Sequence, residues 1–297
     1  MARKVERNYN FLSHYTYYVP GVAEMFILLA WLLAGALVGN LIAGLFLLFM
    51  DASAATTYGT LVAYPLMFIP AMMYDSAKSR ARCLNYPGVL LDSNHFAPVQ
   101  GWLCALLAMA GTLALSFMSD AVASVLPPMP EWLESALSGL TQGNVLINFL
   151  MVSIFAPLFE EWLCRGQVLR GLLNNGIKPL WAIVISAVFF AVIHANPWQA
   201  IPAFLLGCLF GYVYYRTGSL KLTMLMHFTN NTFALICGHI DALQDVENWQ
   251  EFLSPQAYWI IFAACAVLLA LIVRQFRRIP LQSPKGNCDP AAPLFSE

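Results

Sequence analysis

Charge is what this chain has least of. Only 10% of its 297 residues are Asp, Glu, Lys or Arg, against roughly 25% in an ordinary soluble domain. Fifteen basic and sixteen acidic residues leave a formal net charge of −1. A soluble globular enzyme, a disordered chain and a nucleic-acid binder with a basic footprint are all excluded by that composition. Chemical motifs are missing too. The seven cysteines form no CxxC pair and sit mostly in apolar segments, so they read as small buried apolar residues and not as a disulfide framework. There is no HExxH for a zincin, no GxSxG serine elbow and no GxGD aspartyl motif. The start, MARKVERNYNF, has no short apolar core behind it, so no cleaved leader is expected. No internal repeat is visible.

What fills the chain is apolar sequence, 60% of all residues. A membrane-spanning helix needs about 20 mostly apolar residues. Eight stretches meet or approach this: 21–50, 56–74, 99–126, 144–173, 178–194, 198–216, 220–239 and 255–273. The expectation is an all-α polytopic membrane protein of about eight transmembrane helices. Residues 1–20 form an N-terminal cytoplasmic segment, 21–278 the helical domain, and 279–297 a Pro-rich, disordered cytoplasmic tail. Gly35 with Gly39 and Gly207 with Gly211 are spaced to let helix backbones approach closely.

The few charges alternate along the chain. Basic groups stand at Arg3, Lys4 and Arg7, at Lys78, Arg80 and Arg82, around Arg165, Arg170 and Lys178, at Arg216 and Lys221, and at Arg274, Arg277 and Arg278. Acidic groups stand between them, at Asp51, at Glu131 and Glu134, and at Asp241, Asp245, Glu247 and Glu251. The positive-inside rule then predicts both termini in the cytoplasm, with the plasma (inner) membrane as the location in a bacterium.

Ionisable groups within a span are costly and mark function by default. Three stretches carry them. LFEEWLCRG holds Glu160, Glu161 and Arg165; FFAVIHANP holds Phe190 and His194; MLMHFTNNT holds His227, Asn230 and Asn231. Adjacent helical residues point about 100° apart, so the two glutamates are not expected to face one partner. Glu161 and Arg165 have the i,i+4 spacing favoured for an ion pair, which leaves Glu160 as the free carboxylate. His227 and Asn231 share a helix face, and Phe190 is placed to wall a pocket beside His194. Taken singly, each group has a bland reading: a solvated anchor for the glutamates, a loop histidine for His194, an interhelical hydrogen bond for His227. Asp120 and Asn148 read as structural polar residues and Glu24 as interfacial.

Together, the stretches EExxxR (Glu160 to Arg165), FxxxH (Phe190 to His194) and HxxxN (His227 to Asn231) resemble the CPBP family of intramembrane proteases. This is the CAAX-protease and bacteriocin-processing, or Abi, family, which includes the type II CAAX prenyl endopeptidases. The resemblance covers about 144–239. Cys164 stands where the family's usual aromatic precedes the arginine. The resemblance implies peptide hydrolysis in the membrane without a covalent intermediate. Glu160 would be general base, His194 would position the water, and His227 with Asn231 would donate to the oxyanion. Glu161, Arg165 and Phe190 would support them. The implied partners are a peptide or lipidated-protein substrate and the lipid bilayer, with no nucleic acid. No cofactor is expected. The alternative is zinc held by Glu160, His194 and His227, since two imidazoles and a carboxylate are a zinc ligand set. A proton- or ion-coupled transporter and a non-catalytic scaffold or immunity protein are the competing readings.

One geometric problem stands. At about 1.5 Å per residue, Glu160 and His194 lie roughly 20 to 25 Å from the turn at 174–177, while His227 lies only about 10 Å from the turn at 217–219. The groups meet only if the fourth and fifth helices project well beyond the bilayer on the cytoplasmic side; the chain after His194, with Pro197 and Pro202, is expected to re-enter irregularly along a cavity open to the cytoplasm.

Overall fold

Long apolar stretches in this chain have nowhere to satisfy their peptide groups except within themselves, and helices do that. The computed structural model describes residues 12–83, 88–133, 135, 144–243, 246 and 248–281. Among these there is no strand, and eight long helices follow one another: α1 (Val22–Leu45), α2 (Ala52–Arg82), α3 (Gly101–Ala123), α4 (Val145–Asn174), α5 (Pro179–Ile193), α6 (Pro197–Thr217), α7 (Leu220–Cys237) and α8 (Pro255–Phe276). The protein is an all-α polytopic membrane protein. Arg3, Lys4, Arg7, Glu134, Asp245, Glu247 and residues 282–297 of the tail lie outside the described residues.

Four helices, α1, α3, α4 and α8, are long and apolar enough to cross a membrane by themselves. The α2 helix runs two turns past its expected end, so Lys78, Arg80 and Arg82 are helical and not loop residues. Residues 12–20 pack against the helices. Tyr18 is buried, and the Tyr18 and Pro20 carbonyls accept hydrogen bonds from Arg170 of α4 (2.6 Å) and from Asn175, just past its end (3.2 Å).

Small residues set the closest helix approaches. In the α1–α2 hairpin a Cβ on Gly35 would collide with the Met67 carbonyl, and one on Gly39 would lie 2.8 Å from the Ala63 carbonyl oxygen. Gly207 and Gly211 of α6 meet Ala187 and Ile183 of α5 in the same way, with 3.1 Å to each from an added Cβ. α4 runs through the middle. Its Trp162, Leu163 and Leu169 form one core with Leu28 of α1, Phe68 of α2, Phe190 of α5 and Tyr214 of α6. A second core joins α3, α6, α7 and α8 around Cys104, Phe210, Met226 and Ile272.

Two stretches of α4, Phe149–Phe155 and Trp162–Leu169, are π-helical, and they flank the segment Ala156–Glu161. Such wide turns are uncommon and are found disproportionately at functional sites. Every residue of Trp162–Leu169 is buried, enclosed by neighbouring helices and by the segment around Leu91.

Two expectations are corrected here. Arg165 and Arg170 are fully buried and are not loop charges. Arg170 is held by the carbonyls of Gly166, Val89 and Tyr18, each at 2.6 Å. Second, the chain after His194 is no irregular re-entry. Asn196 caps the α6 N-terminus through Gln199 N–H at 2.9 Å, Pro197 occupies the first turn where its missing N–H is harmless, and only Ala195 (φ 56°) takes left-handed backbone. The depth mismatch is met at the α6–α7 turn, which is recessed so that α4 runs on past the start of α7. Thr217 and Ser219 are buried, and Leu220 of α7 sits 3.4 Å from where a Gly166 Cβ would be. α7 thus begins beside the middle of α4, so seven residues of α7 and six of α4 bring His227 level with Glu160. The segment 91–93 covers this recessed turn: Ser93 N–H donates to the Gly218 carbonyl at 2.8 Å, and Asp92 pairs with Lys221 at 2.9 Å.

Candidate active site

Glu160, His194, His227 and Asn231 all line one cavity of about 510 Å³. α4 contributes Glu160, the C-terminal end of α5 His194, and α7 His227 and Asn231. The rest of the wall is largely apolar, with Leu32 of α1, Phe68 of α2, and Phe190 and Phe210 beside the histidines.

Behind the cavity lies a buried ion pair. Arg165 Nη1 donates to Glu161 Oε1 at 2.7 Å, with both side chains fully buried. Arg165 Nη2 donates to the Gly207 carbonyl at 3.1 Å, and the guanidinium lies over the rings of Phe190 (4.5 Å) and Phe210 (5.3 Å). Two charges taken out of water are costly, and close pairing with further hydrogen bonds and aromatic faces offsets that cost. The pairing expected from i,i+4 spacing is present.

The two glutamates nevertheless share a partner, which helix geometry alone argued against. Glu161 Oε1 accepts from His227 Nδ1 at 3.1 Å, while Glu160 Oε2 lies 3.9 Å from His227 Nε2. An imidazole carries its two nitrogens on different edges, so one ring wedged between two carboxylates meets both. Carboxylates only accept, so Nδ1 must donate to Glu161 and Nε2 is left for the cavity. Glu161 therefore orients His227 as well as holding Arg165.

Glu160 is not wholly free. Its Oε1 accepts a hydrogen bond from the Tyr64 hydroxyl of α2, whereas Oε2 is buried without a hydrogen-bond partner. Sequence reasoning missed Tyr64. The only signal was a polar hydroxyl preceding Pro65 in an apolar run, and α2 carries none of the three motifs. His194 Nδ1 contacts the Phe190 carbonyl at 2.7 Å, and the Phe190 ring stands edge-on to both His194 and His227, at 4.9 and 5.4 Å between centroids. Phe190 is thus a partition between the two imidazoles, as well as the pocket wall expected of it. Asn231 Nδ2 donates to the Val152 carbonyl in the first π-helical stretch at 2.8 Å, and its Oδ1 accepts from Asn230 at 3.2 Å. One Asn231 N–H remains.

The segment that carries these motifs is the one similar to known proteins. Residues 142–233 match the model of the family described as type II CAAX prenyl endopeptidase, Rce1-like. Over this segment the chain is similar to that family. The recognition made from the three motifs holds there. Among curated proteins, the "Putative membrane peptidase YdiL" of Bacillus subtilis (strain 168) is 29% identical over 117 residues, covering 39% of this chain and 46% of that protein. "UPF0177 protein YxdF" of Lactococcus lactis subsp. lactis is 27% identical over 95 residues, covering 32% of this chain and 51% of that protein. The chain spans about half the length of these curated relatives. No solved structure matches.

Zinc has a donor set to meet in Glu160, His194 and His227. All three face one cavity, and each imidazole has Nδ1 against a protein oxygen, an arrangement that suits a ligating Nε2. Among the described residues, however, no three His, Cys, Asp or Glu side chains converge closely enough to hold a metal ion. The arrangement does not fit a zinc site as it stands, and no step below runs through a metal.

Proposed function

We propose that this chain is an intramembrane endopeptidase of the CAAX-protease type, hydrolysing peptide bonds of membrane-associated or lipidated peptides with a water activated by Glu160. The observation that supports this reading is the convergence of Glu160, His194, His227 and Asn231, from three helices, on one mostly apolar cavity. The match to the endopeptidase family over the same residues supports it as well.

In this reading Glu160 Oε2, which has no hydrogen-bond partner, takes the proton of the attacking water. His194 holds that water from the α5 side. The oxyanion of the tetrahedral intermediate is met by the remaining Asn231 N–H and by His227 Nε2. Donation from Nε2 requires the ring to carry both protons, because its Nδ1–H is committed to Glu161. That form also brings the formal charge of Glu160, Glu161, Arg165 and His227 to zero. Fixed donors in a water-poor cavity stabilise developing charge without reorganising at the moment of reaction.

The test is cleavage of a panel of membrane-anchored peptides by the purified protein in lipid. Wild type should cleave at least one of them, and Glu160→Gln should not, with its thermal unfolding unchanged. Cleavage by Glu160→Gln at the wild-type rate would remove the proposed base. Elemental analysis of the active protein, with chelation and zinc add-back, tests the metal-free part of the reading. Both termini are assigned to the cytoplasm on the loop charges that remain after Arg165 and Arg170 are set aside. A reporter fused after Arg278 that reads as outside would reverse that assignment.

A further inference from the structure

We propose that Tyr64 is a positioning residue for the reaction, fixing which oxygen of Glu160 acts as base; this rests on the reading of Glu160 given above. Three observations carry it. The Tyr64 hydroxyl donates to Glu160 Oε1 across 96 positions of sequence. The opposite oxygen, Oε2, is the one that is buried without a partner and lies 3.9 Å from His227 Nε2. Tyr64 itself lines the same cavity as Glu160 and His227, and it belongs to α2, outside the segment 142–233.

The physical argument is one of rotation. The last torsion of a glutamate is broad and roughly two-fold, so an untethered carboxylate presents either oxygen to the cavity and in a range of directions. A hydrogen bond from a charge-neutral donor to one oxygen removes that freedom. The other oxygen is then held toward the water it must deprotonate, and misplacement by about 1 Å is enough to cost a large part of the rate. The tether comes from the α1–α2 hairpin, whose close approach at Gly35 and Gly39 sets where Tyr64 stands. Tyr64 has a further ring contact with Phe68, 5.7 Å between centroids, that does not depend on its hydroxyl.

The experiment is a double-substitution cycle on the full-length protein in lipid, read by kcat and KM for a cleaved membrane-anchored peptide. Tyr64→Phe keeps the ring and its contact with Phe68 and removes only the donor. It should lower kcat about tenfold or more and leave KM and the thermal midpoint unchanged. Glu160→Asp withdraws the carboxylate by one methylene, out of reach of the tyrosine. In that background Tyr64→Phe should cause no further loss. A hydroxyl that merely satisfied itself in an apolar span would not produce this dependence on residue 160. Full activity of Tyr64→Phe, or the same fold-loss in both backgrounds, would overturn the proposal and leave Glu160 as the base. Wild-type turnover by Glu160→Gln would instead overturn the underlying reading. If Tyr64→Phe unfolds, the cycle is read with 3-fluorotyrosine at position 64. Its altered donor strength should change kcat in the Glu160 chain and not in Glu160→Asp, and an unchanged kcat in both would overturn the proposal.

Discussion

α4 and α8 are both long and apolar enough to cross a membrane, yet 50% of the apolar window of α4 is buried within the protein and only 11% of that of α8. α8 turns Trp259, Ile260, Val267 and Leu271 outward and carries no charge before Arg274. α4 buries Glu161, Arg165, Gln167 and Arg170 completely. A polar group facing lipid has no partner and is expensive there, whereas one surrounded by other helices can be paired. Hydropathy makes both helices membrane-compatible; enclosure by neighbours is what lets one of them hold buried charge.

The contrast is broken most severely at Glu160, the proposed base. Glu160→Gln should lower turnover by about 1,000-fold or more while leaving the fold intact, measured as peptide cleavage beside thermal unfolding in lipid. A large loss of stability would mean that α4 uses this carboxylate for packing and not for chemistry. Arg165→Met tests the enclosed ion pair next. It removes the guanidinium paired with Glu161 at full burial, leaving that carboxylate only its contact with His227, and should cost about 3 to 5 kcal/mol of stability. A thermal midpoint equal to that of wild type would show that the pair is not needed to keep charge inside α4. Asn231→Ala removes one donor from the cavity and should cut kcat by about 100-fold with KM little changed, because the charge it meets exists only in the transition state. An equal rise in KM would assign Asn231 to substrate binding instead. The smallest effect belongs to α8, where Leu271→Ala should change stability by no more than about 0.5 kcal/mol. A loss several times larger would place that face against a partner and not against lipid.

Much of the site was legible before the structure. Glu161 with Arg165 followed from i,i+4 spacing and is observed at 2.7 Å. His227 and Asn231 do share a face, and both reach the cavity that contains Glu160 and His194. What failed did so for identifiable reasons. Arg165 and Arg170 were counted as loop charges because distance from a turn along the sequence says nothing about what surrounds a side chain. Irregular backbone was expected after His194 because two prolines stand there. Proline in a first helical turn is compatible with a regular helix, and Asn196 supplies the cap. The separation of the two glutamates was over-read, since it considered helix directions and not the two-edged ring placed between them.

The sequence by itself determined the class of the protein and singled out the polar groups that meet in the cavity. Sixty per cent apolar residues in eight runs leave helices in a membrane as the outcome, and a span's few polar residues stand out against so uniform a background. Those signals are local, readable within one helix at spacings of three or four. Only the tertiary structure decided depth and partnership. It recessed the α6–α7 turn beside Gly166, which brings His227 level with Glu160, and it carried Tyr64 from α2 onto the carboxylate. Both depend on how separate helices slide and rotate against one another. That offset is set by small-residue contacts and a covering loop far apart in sequence, and no periodicity within a single helix records it.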